Sequence, residues 1–137
     1  MHSEYWNKQT ATKALYPEIE WNKPERLDQA GKLAIIGGNK LGFASVGEAY
    51  TLARESGAGQ VRVLLPDCLK RTVPRTITDV VFASCNQSGS LSKDAANELS
   101  AIGAWADGVL LIGDAGRNSE TAILYEKFIE SYRGSLT

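Results

Sequence analysis

The spacing of apolar residues changes several times along the chain, and each change marks an element. Leu33–Ile36 is a continuous apolar run, the pattern of a strand buried on both faces. It ends at Gly37-Gly38. From Ser45 the period lengthens: Val46, Ala49, Tyr50 and Ala53 stand at i, i+3, i+4 and i+7, which predicts a helix with one apolar face. Ser45 and Glu48 have the spacing of a capping box, and Gly57 stands where a C-cap belongs. Val61–Leu65 is apolar and β-branched and stops at Pro66, which predicts a second strand. Strand, helix and strand in this order make a βαβ unit, whose crossover is right-handed.

Pro66–Thr78 reads as a loop with room for one helical turn, and its Lys70, Arg71 and Arg75 read as a solvated face. Val80–Ala83 is a third strand, Asn86–Ser90 (NQSGS) a loop by composition, and Ser92 the cap of a helix reaching about Ala104. Val109–Ile112 is a fourth strand. Asn118 or Ser119 caps a last helix, whose Tyr125, Phe128, Ile129 and Tyr132 repeat the helical spacing. The order β-α-β-β-α-β-α predicts an α/β fold, a three-layer α/β/α sandwich around a mainly parallel sheet. Residues 1–31 are more polar: Asn7–Leu15 is expected to be a short helix, and the rest an arm pinned to the domain by Trp6 and Trp21. Gly134 is read as a C-cap and Ser135–Thr137 as the entry to a fifth strand. The expectation is therefore that 32–137 is the N-terminal portion of a longer domain, with an open sheet edge on which another chain or a second copy can pair.

Composition changes this picture little. A length of 137 residues suits one domain, and 43% apolar and 23% charged residues are ordinary for a globular chain. A net charge of −1 supplies no field for nucleic acid or an anionic membrane. The polar N-terminus has no apolar signal core, and a cytoplasmic location is expected. Cys68 and Cys85 form no CxxC pair or metal spacing and are read as reduced and structural. The single histidine is His2, which leaves no material for a histidine-based triad or a histidine-rich metal site.

Candidate chemistry gathers in two loops. Parallel α/β sheets bind ligands beyond the carboxyl ends of their strands. Gly37-Gly38-Asn39-Lys40-Leu41-Gly42-Phe43-Ala44 and Gly113-Asp114-Ala115-Gly116-Arg117-Asn118 both run from such an end into a helix. Glycine lets a backbone approach a ligand, the first N–H groups of a helix suit a phosphate, and Lys40 and Arg117 add positive charge. A tight strand-to-helix turn without a ligand explains either loop alone equally well, and Asp114 would repel a phosphate. Neither GxxxxGK[ST] nor GxGxxG is present. Asp67 stands just past the second strand, where a ribose-binding acid belongs in a dinucleotide fold, but a surface-loop aspartate is the readier explanation. Ser84, Ser88 and Ser90 have no histidine partner.

With its glycines in this order, the chain resembles the ADP/ATP-dependent NAD(P)H-hydrate dehydratases of the ribokinase-like carbohydrate kinase superfamily. That family has an apolar strand ending in Gly-Gly-Ser, then Gly-Ala at the head of a helix and Gly-Ala-Gly before the next strand. Here "LAIIGGN" and "SGAGQVRVLLP" keep the separation. The family's Ala-Asp strand ending in Gly-Pro-Gly-Leu-Gly corresponds to "WADGVLLIGDAGRNSET", so the likeness spans about Gly31 to Phe128. It implies a ribokinase-like fold and repair of hydrated NADH or NADPH, driven by ATP or ADP through a phosphorylated intermediate, with Mg2+ compatible with the nucleotide. The substrate contacts it implies fall on Ala44-Ser45 and Gly116, within a substrate site of Gly37, Gly38, Asn39, Lys40, Ala44, Ser45, Gly113, Gly116 and Arg117. Two motifs depart from the family: Gly-Ala has become Ala44-Ser45, and the second glycine motif is one residue shorter. The family's adenine-nucleotide site and catalytic aspartate lie in a half with no counterpart here, so this chain alone is expected to lack catalysis. The alternatives are a related sugar-kinase-like phosphotransferase, a non-catalytic nucleotide-binding module, or an assembly partner.

Overall fold

Lys32–Ile36 forms β1, the middle strand of a five-stranded sheet in which every pair is parallel. The computed structural model describes residues 8–137; His2, Trp6 and Asn7 lie outside the described residues. The other strands are β2 (Gln60–Pro66), β3 (Val80–Ala83), β4 (Gly108–Leu111) and β5 (Ser135–Leu136), and the spatial order is β3-β2-β1-β4-β5. Three α-helices, α1 (Ala44–Glu55), α2 (Ala96–Trp105) and α3 (Ser119–Ser131), make the crossovers together with the loop from β2 to β3.

Side chains alternate across the sheet, and each face has its own apolar cluster. On one, Ile35, Val63 and Leu65 pack with Val46 and Tyr50 of α1 and with Leu69 and Ile77 from the β2–β3 loop. On the other, Ala34, Ile36, Leu64 and Val109 pack with Leu99 and Ile102 of α2 and Leu124 and Phe128 of α3. The sheet is therefore covered on both faces, which is why its strands read as continuous apolar runs. Connections that run to one side of β1 lie on one face, and those that run to the other side lie on the opposite face. This is the doubly wound arrangement, and it leaves a crevice where the carboxyl ends of β1 and β4 part.

Several local expectations are corrected. Lys8–Leu15 is irregular; the Gln9 side chain donates to the Lys13 carbonyl and accepts the Leu15 N–H, which satisfies this segment without a helix. Trp21 does not pin the arm: it is 90% exposed. α1 begins at Ala44, its N-cap is Phe43, and no side chain caps it. The Ser45–Glu48 capping box does not form because Ser45 already lies inside the first turn. At the other end the reading holds: Gly57 has φ +95°, Gly57 N–H donates to Arg54 O and Ala58 N–H to Ala53 O, a Schellman motif. Gly134 is not a C-cap, since α3 ends at Ser131 and Tyr132 is extended. The place beside β4 is taken by β5 of the same chain, which pairs Ser135 with Gly108 and Leu136 with Val109. No helix among the described residues is long and apolar enough to cross a membrane.

Candidate functional site

Three loops leave the carboxyl ends of β1, β4 and the edge strand β3, and hydrogen bonds tie them into one surface. The first, after β1, starts at Gly37, which is buried against Asp114, Ile112 and Val46 so closely that a Cβ would lie 2.9 Å from Asp114 Oδ1. Gly38 has φ +81° and donates its N–H to Asp114 Oδ1 at 2.8 Å. Asn39 and Gly42 exchange backbone hydrogen bonds, Asn39 Oδ1 accepts the Leu41 N–H at 2.8 Å, and Asn39 Nδ2 donates to the Asp114 carbonyl. The side chains of Lys40, Ala44 and Ser45 face solvent, with Ala44 and Ser45 forming the first turn of α1.

The second loop, after β4, carries Gly113 and Arg117 exposed and Gly116 with φ +89°. Gly116 lies directly against Ser90 Oγ, so any side chain there would displace the neighbouring loop. Asn118 then caps α3: its Oδ1 accepts from Glu120 N at 2.9 Å and Thr121 N at 3.3 Å, while its Nδ2 donates to Ser88 Oγ at 3.1 Å. One residue thus starts a helix and joins two loops.

The third loop, Asn86–Ser90, is a plain connection by its composition, yet the fold brings it into the same surface. Asn86 N–H donates to Ser90 O, and Lys40 N–H donates to Gly89 O at 2.8 Å. Gly89 is packed against the Lys40 side chain with no space for a Cβ. Asp67, the candidate ribose acid at the end of β2, accepts the Cys85 N–H at 3.1 Å. A polar groove of about 450 Å³ opens between this loop and α3, lined by Cys85, Asn86, Ser88, Ser92, Asn118 and Glu120. A second, apolar groove of about 500 Å³ runs along α2 and α3, lined by Leu99, Ile123 and Phe128 among others.

The two glycine loops meet across the crevice, but Gly38 N–H is not free for a phosphate: the Asp114 carboxylate holds it. Donors that remain toward solvent come from the first turn of α1, with Lys40 and Arg117 exposed on the same loops. Against the second loop, in a small cleft lined by Gly113, Ala115 and Gly116, Tyr125 of α3 keeps its hydroxyl buried without a partner. Burial, and secondarily the Asp114 charge, raises its ionisation well above the ordinary tyrosine range. No group of three or more His, Cys, Asp or Glu side chains among the described residues is placed to hold a metal ion. The third loop could have been read from Gly89 in NQSGS, a positive-φ turn glycine, but its contact with Lys40 depends on strand order. No protein-family model matches the chain, and no curated protein matches it.

Proposed function

We propose that the chain binds hydrated NADH or NADPH on the loops after β1 and β4, as the substrate-side part of an ATP- or ADP-dependent dehydratase or of a related ribokinase-like kinase. The observation that carries this reading is the meeting of those two loops over the crevice, locked by Gly38 N–H to Asp114 Oδ1. A pre-formed surface at this position in a doubly wound sheet is where a ligand binds. The resemblance in glycine order supplies the ligand class. Because Asp114 occupies Gly38, the dinucleotide phosphates belong at the first turn of α1, beside Ala44 and Ser45, with Lys40 and Arg117 near them. The adenine nucleotide and the dehydration step belong to residues without a counterpart in this chain.

Calorimetric titration of the full chain with hydrated NADPH, NADPH, ATP and ADP tests the reading. Heat with the hydrated dinucleotide is expected. Ser45→Glu, a fold-compatible change at a helix start, is expected to weaken that binding by about tenfold or more, since like charges brought together cost kilocalories per mole. No heat with any dinucleotide overturns the reading. ATP or ADP bound alone, without turnover, identifies the non-catalytic nucleotide module instead.

A further inference from the structure

We propose that Cys68 and Cys85 form a reversible intramolecular disulfide under hydroperoxide, a redox cross-link between the loops that leave β2 and β3. The inference goes beyond the ligand reading and does not depend on it. Parallel register places Pro66 opposite Ala83, and each strand carries its cysteine two residues further on. Cys68 itself lies in the 3-10 turn Asp67–Leu69 that follows β2, so the contacts of that turn, and not the strand spacing, set it beside Cys85. The pair is held past the last strand residues: Asp67 Oδ1 accepts Cys85 N–H at 3.1 Å, and the Cys68 thiol donates to Gly89 O at 3.6 Å. The Asp67 carboxylate beside Cys85, with burial and the Cys68 thiol, pushes the Cys85 thiol up to about 11.

Both cysteines are free, and they differ in access: Cys68 is exposed and Cys85 half-buried. Access assigns the order of events. The Cys68 sulfur, as thiolate, attacks the distal oxygen of the hydroperoxide; the O–O bond breaks, sulfur is oxidised to the sulfenic acid, and the alcohol (water, for hydrogen peroxide) leaves with the thiol proton. Cys85 sulfur then attacks Cys68 Sγ; the S–S bond forms, the S–O bond breaks, and hydroxide departs as water with the Cys85 proton. In balance, two thiols and one hydroperoxide give one disulfide, one alcohol and one water. The cross-link has a structural consequence nearby. Gly89 O accepts from both Cys68 Sγ and Lys40 N–H, so oxidation removes the bond that ties the third loop to the loop after β2 and leaves the one from Lys40.

The test exposes the full chain to hydrogen peroxide, then denatures, alkylates and digests it for mass spectrometry. A linked peptide pair joining Cys68 to Cys85, lighter by two hydrogens and cleaved by dithiothreitol, is expected. In Cys85→Ser, Cys68 is expected to accumulate a sulfenic acid trapped by dimedone. In Cys68→Ser, Cys85 is expected to stay alkylatable over the same exposure. Cross-links found only between molecules, or Cys68 oxidised in the wild-type chain while Cys85 remains alkylatable, overturn the proposal. So does an equal yield of the intramolecular link in urea, where the strand register is gone.

Discussion

Asp114 gives Gly38 what a bound anion would give it: a charged oxygen 2.8 Å from a backbone N–H in a left-handed turn. Such charge-assisted bonds are stronger than neutral ones, and losing one at a half-buried group costs about 1–3 kcal/mol. Asp114→Ala is therefore expected to lower the urea-unfolding free energy by about that amount, and Asp114→Asn by less, because an amide oxygen still accepts. The residue type was visible in the sequence and its role was not. An aspartate in a glycine loop reads as hostile to phosphate; only the meeting of the two loops makes it an internal ligand. The same charge acts on Tyr125, whose ionisation is raised mainly by burial and then by Asp114. An unfolded tyrosine ionises near pH ~10, so above that pH the unfolded chain has lost a proton the folded one keeps. Stability must then fall as pH rises, because the folded state binds more protons. Unfolding followed from about pH 9 to 11 should show this loss in the wild type. Tyr125→Phe should flatten it while leaving neutral-pH stability at least unchanged, since it also removes an unpartnered hydroxyl.

At the scale of elements, the periodicity that announces a helix is more legible than the residue that starts it. Val46 and Tyr50 are buried as their spacing requires, because packing one face on the sheet dominates the energy. Ser45 has the right neighbours for a capping box and the wrong position, one residue inside the helix. Asn118 is a true N-cap with two backbone donors on its Oδ1. Asn118→Ala is expected to cost about 0.5–2 kcal/mol, whereas Ser45→Ala should stay within about 0.5 kcal/mol of wild type; chemical denaturation of the two variants side by side checks the contrast. Had Ser45 been the working cap, its removal would cost as much as that of Asn118. The cysteine pair lies at the far end of this scale of legibility. Nothing between Cys68 and Cys85 in the sequence states their proximity, since it comes from the register of β2 on β3 and from the contacts of the turn after β2.

For the whole molecule, the α/β class and the parallel sheet were readable because strands buried on both faces cannot alternate with polar residues. Strand order was not, because crossovers of similar length serve neighbouring and distant strands alike. Order decides the site: it sets β4 beside β1, and so the loop of Gly113–Gly116 beside that of Gly37–Gly38. It also governs how the chain must assemble. Among the described residues no strand is paired by a hairpin: Lys32 waits for Gln60, and Leu33 for Gly108. Each ladder forms only after a long segment has been brought round and its closure entropy met. Folding of this sheet is thus a slow, non-local search. The two glycine loops take their shape only once β4 has found β1, so the candidate site cannot exist before a separation of 76 residues, from Gly38 to Asp114, has been closed.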